Sequence, residues 1–203
     1  MRARAEGRGL RAEDHERGGA LCFSALSPRP LPRRANLRTL RGLMANDFSS
    51  NELATQFEQQ LLADIPLARA MQLRVADWSE DRLRLSAPLA PNINDKGCAF
   101  GGSLASLMTL VGWGLIVLRL RALGRSCDIY VQDSMVRYMA PVWSDFIAEA
   151  QLAEGESWDA FLATLEQRGR ARLRVVCRIP LDDGSAAATL EARFVAIASA
   201  TAA

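Results

Sequence analysis

The amino-acid sequence predicts an α+β fold in which a curved antiparallel sheet wraps around one long central helix. Three observations support this fold class. One predicted helix is apolar on nearly every side, the predicted strands have one apolar face each, and turn segments separate most consecutive strands. A helix that is apolar all round must be covered on several sides, and a curved sheet of such strands can cover it.

The central helix is predicted over 100–123, after a polar loop at 88–97. Between Leu104 and Leu118, Ser106 and Thr109 are its only polar side chains, which is typical of a helix buried on every side. A membrane-spanning helix is the alternative, and it needs about 20 apolar residues. The apolar run is shorter, contains two glycines and ends in arginines at 119 and 121, and Gly124 can cap the C-terminus of the helix. We therefore prefer a buried helix and expect no membrane partner.

The other elements are predicted in the order helix, two strands, central helix, two strands, helix and two strands. Ser49 or Ser50 can cap the first helix, and Pro66 ends or redirects it. Asp182-Asp183-Gly184 is a typical hairpin turn between the last two strands. The predicted ranges are 51–63 and 157–167 for the outer helices, and 72–78, 82–87, 128–139, 146–152, 170–179 and 186–198 for the strands.

The charge of the chain is concentrated near its N-terminus. Residues 1–43 hold ten of the 25 basic residues and four of the 23 acidic ones, which leaves 15 basic and 19 acidic residues, a net charge of −4, for residues 44–203. The body is thus mildly acidic, so a nucleic-acid partner is not expected. We predict a disordered basic leader at 1–43, one domain at 44–199 and a frayed tail at 200–203.

The leader does not have the composition of a targeting signal. Its apolar run at 21–26 is too short for a secretory signal, and acidic residues at 13, 14 and 16 disfavour an organellar transit peptide. We therefore interpret Met44 as the natural start, with the preceding residues translated from an upstream extension.

The cysteines and the single histidine exclude several kinds of chemistry. Cys22, Cys98, Cys127 and Cys177 are scattered without a C-x-x-C pair, so we expect a reduced, cytoplasmic protein without a metal site or other cofactor. His15 lies in the predicted leader. The body therefore cannot use an imidazole, which excludes Ser-His-Asp and Cys-His systems and histidine general bases there.

The segment from Asn94 to Leu104 is the most informative motif, because a glycine-containing polar loop runs directly into the central helix. The first N–H groups of a helix have no intrahelical partner and carry partial positive charge, so they can bind an oxyanion. Gly101 and Gly102 let a ligand atom approach the main chain closely. The alternative is that these two glycines only allow the chain to turn.

The motif also supports a family resemblance. The chain resembles the hotdog-fold thioesterases, and most closely the thioesterase domain at the C-terminus of YiiD-type proteins, over residues 53–197. The matching residues are Pro91-Asn92-Ile93-Asn94, Gly97, Phe100-Gly101-Gly102-Ser103-Leu104, Gly112-Trp113-Gly114, Ser134 to Tyr138 and Pro141-Val142. The resemblance implies a homodimer whose sheets join edge to edge, with an acyl thioester of coenzyme A or acyl carrier protein in a tunnel at the interface.

The related PaaI-like thioesterases imply roles for individual positions. They carry an Asn six residues before a His-Gly-Gly and an Asp nine residues after that His. Asn94 matches the asparagine, Gly101 and Gly102 match the glycines, Phe100 replaces the histidine and Thr109 replaces the aspartate. The resemblance therefore implies Asn94, Gly101, Gly102 and Thr109 as catalytic positions, with the glycine amides binding the carbonyl oxygen.

Other residues near the motif are candidates for binding substrate. Phe100 would line an acyl tunnel, and Ser103 begins the helix beside the two glycines. Strand alternation puts Tyr130, Gln132, Ser134 and Tyr138 on one face, with Asp133 and Arg137 on the other. Ser134 is either a substrate contact or a hydroxyl satisfied by neighbouring backbone, and Lys96 either binds a carrier phosphate or is a solvated loop residue.

The sequence favours a hydrolase of acyl-CoA or acyl-ACP thioesters. Asn94 and Thr109 do not ionise near neutral pH, so a carboxylate such as Asp95 or Asp133 would have to act as base if hydrolysis is fast. The alternatives are a non-hydrolytic protein that binds acyl thioesters, a dehydratase-like enzyme or a structural interaction domain. Dehydration is the weakest enzymatic alternative, because dehydratases of this fold use a histidine.

Overall fold

The computed structural model describes residues 50–199, which form a six-stranded antiparallel sheet and four α-helices. The elements are α1 (Ser50–Asp64), α2 (Pro66–Ala70), β1 (Arg74–Ser79), β2 (Arg82–Ala87), α3 (Gly101–Ala122), β3 (Cys127–Tyr138), β4 (Phe146–Leu152), α4 (Trp158–Arg168), β5 (Arg170–Pro180) and β6 (Ala186–Ala198). The sheet has the strand order β1-β2-β4-β5-β6-β3. The curved sheet and its long helix confirm the predicted fold class. The predicted leader, Ser49 as a cap of the first helix and the tail at 200–203 lie outside the described residues.

Helix α3 forms the centre of the core, as its all-round apolarity predicts. Eleven of its 22 residues are buried, and it packs against five of the six strands, β2 to β6. Its length and composition alone would also suit a membrane span. A Cβ atom added at Gly114 would lie 2.6 Å from Phe57 Cζ and 2.8 Å from Leu83 Cδ2, so this glycine lets α1 and the sheet approach the helix closely.

Both ends of α3 follow from local backbone chemistry. Phe100 has an extended backbone, so the helix begins at Gly101, one residue later than predicted. At the other end, Gly124 has a φ of +65°, and the N–H groups of Gly124 and Arg125 donate to the carbonyl oxygens of Arg121 and Leu120, each at 2.9 Å. Gly124 thus ends the helix in a left-handed turn, as the sequence predicts.

The segment between α1 and β1 contains a second short helix. Pro66 is the first residue of α2, where its missing N–H and fixed φ cost nothing. Gln72 then has a φ of +56°, the only positive φ of a non-glycine residue in the described part of the chain. Because this residue belongs to a turn, β1 begins at Arg74 and not at the predicted position 72.

Strand β3 contains a β-bulge that the sequence alternation did not reveal. Its pairing with β6 shifts between Val131 and Asp133, so the extra residue Gln132 changes the side on which the following side chains lie. Tyr130 pairs with Val195 on the outer face of the sheet, and Gln132 Oε1 accepts a hydrogen bond from Arg172 Nε on that same face. The prediction that Tyr130 and Gln132 share a face with Ser134 and Tyr138 is therefore wrong.

The second half of β3 faces the central helix. Ser134, Val136 and Tyr138 lie opposite three buried residues of β6, and directly opposite residues of an antiparallel pair share a face. Asp133 lies opposite Arg193 on the outer face, which confirms that it and Ser134 point to different sides. Within residues 50–199, β3 pairs only with β6, so its other edge is open.

Candidate active site

Asn92 anchors the loop that leads into α3. Its side chain is 1% exposed, and its Nδ2 group donates to the carbonyl oxygens of Met71 at 3.0 Å and Pro88 at 2.8 Å. The Asn92 carbonyl oxygen accepts the Phe100 N–H at 2.7 Å. Buried amide groups need such partners, so one residue ties the end of β2, the turn before β1 and the start of α3 together.

Asn94 organises the polar turn that follows. Its N–H donates to the Cys98 carbonyl at 2.8 Å, its Oδ1 accepts the Lys96 N–H at 2.8 Å, and its Nδ2 lies 3.2 Å from Cys98 Sγ. Gly97 has a φ of +86°, a backbone conformation that residues with a side chain rarely adopt. The Lys96 ammonium pairs with the neighbouring Asp95 carboxylate at 2.9 Å, and both side chains are exposed. The predicted residues Asn94 and Lys96 are thus engaged within their own loop.

The N-terminus of α3 is open. No side chain caps it within the described residues, and the Leu104 N–H is the first that bonds back into the helix, to the Phe100 carbonyl at 3.0 Å. The N–H groups of Gly101, Gly102 and Ser103 precede that bond and have no intrahelical acceptor. They can therefore donate to a ligand oxygen, in a position where the helix dipole favours negative charge.

Two aromatic side chains border this helix terminus. A Cβ atom added at Gly102 would lie 2.2 Å from Phe100 Cε1, so the Phe100 ring occupies the space that a side chain would need. Tyr138 donates a hydrogen bond from its hydroxyl to the Gly101 carbonyl at 3.0 Å. Both rings are 55% exposed. Tyr138 and Asn92 lie in segments that support the family resemblance, yet the sequence assigned no role to either.

We infer a groove from this terminus between α3 and β3, because Tyr138 contacts Gly101 at one end and Trp113 and Ile129 line a common cleft at the other. Gly102, Ser106, Thr109 and Trp113 are half-buried and recur every three or four positions, so they form one stripe along α3. The other wall is the helix-facing side of β3, including the exposed Ser134 and Tyr138. We call this feature the α3–β3 groove. Thr109 Oγ1 donates to the Ala105 carbonyl at 2.9 Å, two helical turns from the glycines.

The predicted carboxylate bases do not face the groove from within this chain. Asp133 lies on the outer face of the sheet, 3.8 Å from the Arg193 guanidinium, and Asp95 pairs with Lys96 in the exposed turn. In residues 50–199, no three His, Cys, Asp or Glu side chains stand close enough together to bind a metal ion. The chemistry that this site offers is main-chain hydrogen bonding, the hydroxyl groups of serine, threonine and tyrosine side chains, and apolar surface.

The structure brings part of the predicted site together. Phe100, Gly101, Gly102 and the half-buried Ser103 form the helix terminus, and Thr109 and Ser134 lie along the α3–β3 groove. Asn94 and Lys96 lie in the turn before the terminus. The contact between Gly101 and Tyr138 joins residues 37 positions apart, so only the folded chain reveals it.

Fold and site together define a hotdog protein of the thioesterase superfamily. Residues 54–198 match the family described as "Putative thioesterase (yiiD_Cterm)", and the chain belongs to that family. The resemblance noted in the sequence is thereby confirmed.

Solved structures agree with this family. A thioesterase structure from Shewanella oneidensis, described as putative, is 30% identical, with a TM-score of 0.65 over 72% of this chain and 99% of its own. A protein of unknown function from Chlorobaculum tepidum is 25% identical, with a TM-score of 0.70 over 74% and 98% of the two chains. A Pseudomonas aeruginosa protein described as a probable thioesterase is 21% identical over 75% and 97%, with a TM-score of 0.63, and shows the shared fold.

Proposed function

We propose that this protein hydrolyses acyl thioesters carried on coenzyme A or acyl carrier protein. The observation that carries the proposal is the uncapped N-terminus of α3, where the Gly101 and Gly102 N–H groups lack intrahelical partners. A thioester carbonyl oxygen gains negative charge when water attacks its carbon, and fixed N–H donors stabilise that charge most in the transition state. Main-chain donors at a helix terminus need no reorganisation to do so.

In this proposal the acyl chain lies in the α3–β3 groove. From Gly102 to Trp113 the groove follows eleven helical residues, or about 16 Å at 1.5 Å per residue. Phe100 covers its entrance with an exposed apolar ring, and Ser103 and Ser134 can donate to polar atoms of the substrate. Lys96, whose ammonium is exposed beside Asp95, would meet the phosphate groups of the carrier.

Asn94 and Thr109 are the proposed groups for orienting the attacking water. The Thr109 hydroxyl donates to the Ala105 carbonyl, which leaves its oxygen lone pairs available as acceptors. Neither residue ionises near neutral pH, and loss of a positioned base typically costs about 10² to 10⁴ in rate. We therefore expect slow turnover unless a second copy of the chain supplies a carboxylate.

We also propose that the protein is a homodimer joined along β3. The outer edge of this strand is unpaired within the described residues, and an unpaired edge readily binds another strand. Tyr130, Val131, Met135 and Tyr138 are large apolar residues of this strand with about half of their surface exposed. A cytoplasmic location, proposed from the scattered cysteines, is consistent with free thiols at Cys98, Cys127 and Cys177.

Thiol release from acyl-CoA and acyl-ACP substrates of several chain lengths tests the hydrolase. The comparison uses wild type, Gly102→Val, Asn94→Ala and the control Ala160→Val, whose site is an exposed position of α4. The valine keeps its main-chain N–H, but its side chain would block the approach of the substrate oxygen. We therefore expect Gly102→Val to reduce turnover by about 10² to 10³, the size of effect that loss of an oxyanion donor has, and Ala160→Val to leave turnover unchanged. Circular dichroism checks that each variant is folded. Equal turnover in wild type and Gly102→Val would place the reaction elsewhere.

The second candidate function is binding of acyl thioesters without hydrolysis. It is favoured by the apolar ring at Phe100 and the neutral hydroxyl of Thr109, at positions where the PaaI-like relatives carry ionisable groups. Saturable binding of acyl-CoA with no thiol released from any substrate would select this candidate over the hydrolase.

Light scattering tests the proposed homodimer, and a stable monomer would contradict it.

A further inference from the structure

A second cleft lies towards the end of α3 opposite the open helix terminus, and it adjoins the α3–β3 groove at Trp113. It has a volume of about 320 Å³ and separates the C-terminal half of α3 from the beginning of β3. We call it the distal cleft. Its side-chain walls are Trp113, Val117, Leu120 and Arg121 on the helix, Arg125 in the connection, and Cys127 and Ile129 on the strand. Of these residues on the helix, only Trp113 also belongs to the α3–β3 groove.

Apolar side chains form part of the wall of the distal cleft, beside polar ones that include Ser126. Val117 and Leu120 are buried, and Trp113 and Ile129 are half-buried against the core. Ile129 lies opposite the buried Ala196, which places its side chain on the helix-facing side of the strand. Asp128 also lines the cleft, and its pairing with the exposed Ile197 places its side chain on the outer face of the sheet.

Two arginines, Arg121 and Arg125, line this cleft. Arg121 donates from Nη2 to the neutral Gln60 Oε1 at 2.7 Å, and burial lowers the pKa of Arg121 although the Asp64 carboxylate opposes that shift. Arg125 reaches the exposed Glu166 carboxylate only at 3.5 Å. A guanidinium has five N–H donors, so each arginine keeps donors for an incoming anion beyond the one that these contacts use.

We propose that the distal cleft binds a carboxylate carried on an apolar chain, with Arg121 and Arg125 holding the carboxylate and the cleft interior holding the chain. Such a ligand has two sources: a free fatty acid, or the ω-carboxyl end of an acyl group that enters from Gly102. Arg121 is 19 helical residues from Gly102, about 28 Å along the axis. That span is longer than a medium-chain acyl group, so the free acid fits more simply.

Calorimetric titration with decanoate and with decanol tests the proposal without requiring hydrolysis. The two probes share an apolar chain but differ in charge. We expect wild type to bind decanoate at least tenfold more tightly than decanol. Arg121→Gln and Arg125→Gln should each weaken decanoate binding about tenfold, because a hydrogen bond to a charged group contributes about this much to affinity. Arg170→Gln, which removes an exposed arginine from the outer sheet face, is the matched control and should bind decanoate like wild type.

The position of the ligand is tested separately. A bromine-labelled decanoate should quench the Trp113 fluorescence, and Trp113→Phe should remove that part of the quenching. The second source is tested with an ω-carboxyacyl-CoA whose chain is long enough to span the distance from Gly102 to Arg121. If Arg121→Gln raises the KM for this substrate and not that for the acyl-CoA of equal length without the carboxyl group, the acyl group is the source of the carboxylate; otherwise the free acid is. Equal binding of decanol and decanoate by wild type, or wild-type decanoate binding by both cleft variants, would overturn the proposal. Failure of hydrolysis alone would leave these binding results unaffected.

Discussion

The Tyr138 hydroxyl donates a 3.0 Å hydrogen bond to the carbonyl oxygen of Gly101, so the last residue of edge strand β3 is tied to the first residue of central helix α3. The proposed oxyanion donors thus start from a backbone position that is held by β3, the strand proposed to form the dimer interface. Any change in the pairing of β3 would reach the helix terminus through this contact.

Tyr138→Phe should separate activity from stability. We expect the free energy of unfolding to fall by no more than about 1 kcal/mol, because the lost hydrogen bond is partly exposed. Turnover should fall more clearly, since the helix start loses a tether. Urea denaturation and thiol release measure the two effects. Tyr130→Phe is the matched control, because Tyr130 is the other tyrosine of the chain and lies on the outer face; equal losses in both variants would contradict the idea.

The contact between Phe100 and Gly102 predicts a coupled pair of substitutions. Gly102→Ala requires the Phe100 ring to move, since the added Cβ atom would lie 2.2 Å from Phe100 Cε1. Stability should change little, because the exposed ring can move and alanine favours the helix by up to about 1 kcal/mol. The KM for acyl-CoA should rise. Phe100→Ala combined with Gly102→Ala should lose less than the sum of the single changes, and strict additivity in KM would disprove the coupling.

Asn92→Ala should be the most destabilising change in the loop before α3. It leaves the Met71 and Pro88 carbonyl oxygens without their buried donor and opens a small cavity. We expect a loss of about 2–4 kcal/mol in the free energy of unfolding, measured in urea. Asn94→Ala is the comparison, and it should cost less because its turn is less buried. A larger loss for Asn94→Ala would show that the loop is anchored differently.

Gly114→Ala tests how closely α3 packs in the core. An added methyl group would lie 2.6 Å from Phe57 and 2.8 Å from Leu83, both fully buried. Overpacking typically costs about 1–3 kcal/mol, which exceeds the gain in helix propensity. Chemical denaturation should therefore show net destabilisation. The double variant Phe57→Leu with Gly114→Ala should lose less free energy of unfolding than the sum of the losses in the two single variants.

The cysteines predict a dependence on alkaline pH. Burial raises the thiol pKa of both Cys127 and Cys177 above the ordinary value of 9.0. Because the folded thiols stay protonated while unfolded ones ionise, stability should fall as pH rises above about 9. Denaturation from pH 7 to 10 should show this slope, and Cys177→Ala should reduce it. Iodoacetamide should modify Cys127 before Cys177 in the folded protein; reversed order would refute the burial argument.

Local patterns predicted most of the elements, because their causes lie within a few residues. The apolar run from Leu104 to Leu118 identified the central helix, and Gly124 and the Asp182-Asp183-Gly184 turn marked where the chain reverses. The start of β1 was displaced by two residues, because Gln72 adopts a left-handed conformation that its residue type does not signal.

The sequence by itself determined the class of fold and the position of the glycine amides, since periodicity and the junction of loop and helix are local properties. Only the tertiary structure decided which side chains face the site and which groups they bond to. The bulge at Gln132 moved Tyr130 to the outer face, and Asn92 and Tyr138 reach acceptors 21 and 37 positions away. Such contacts depend on how strands pair and loops close, which no short stretch of residues encodes.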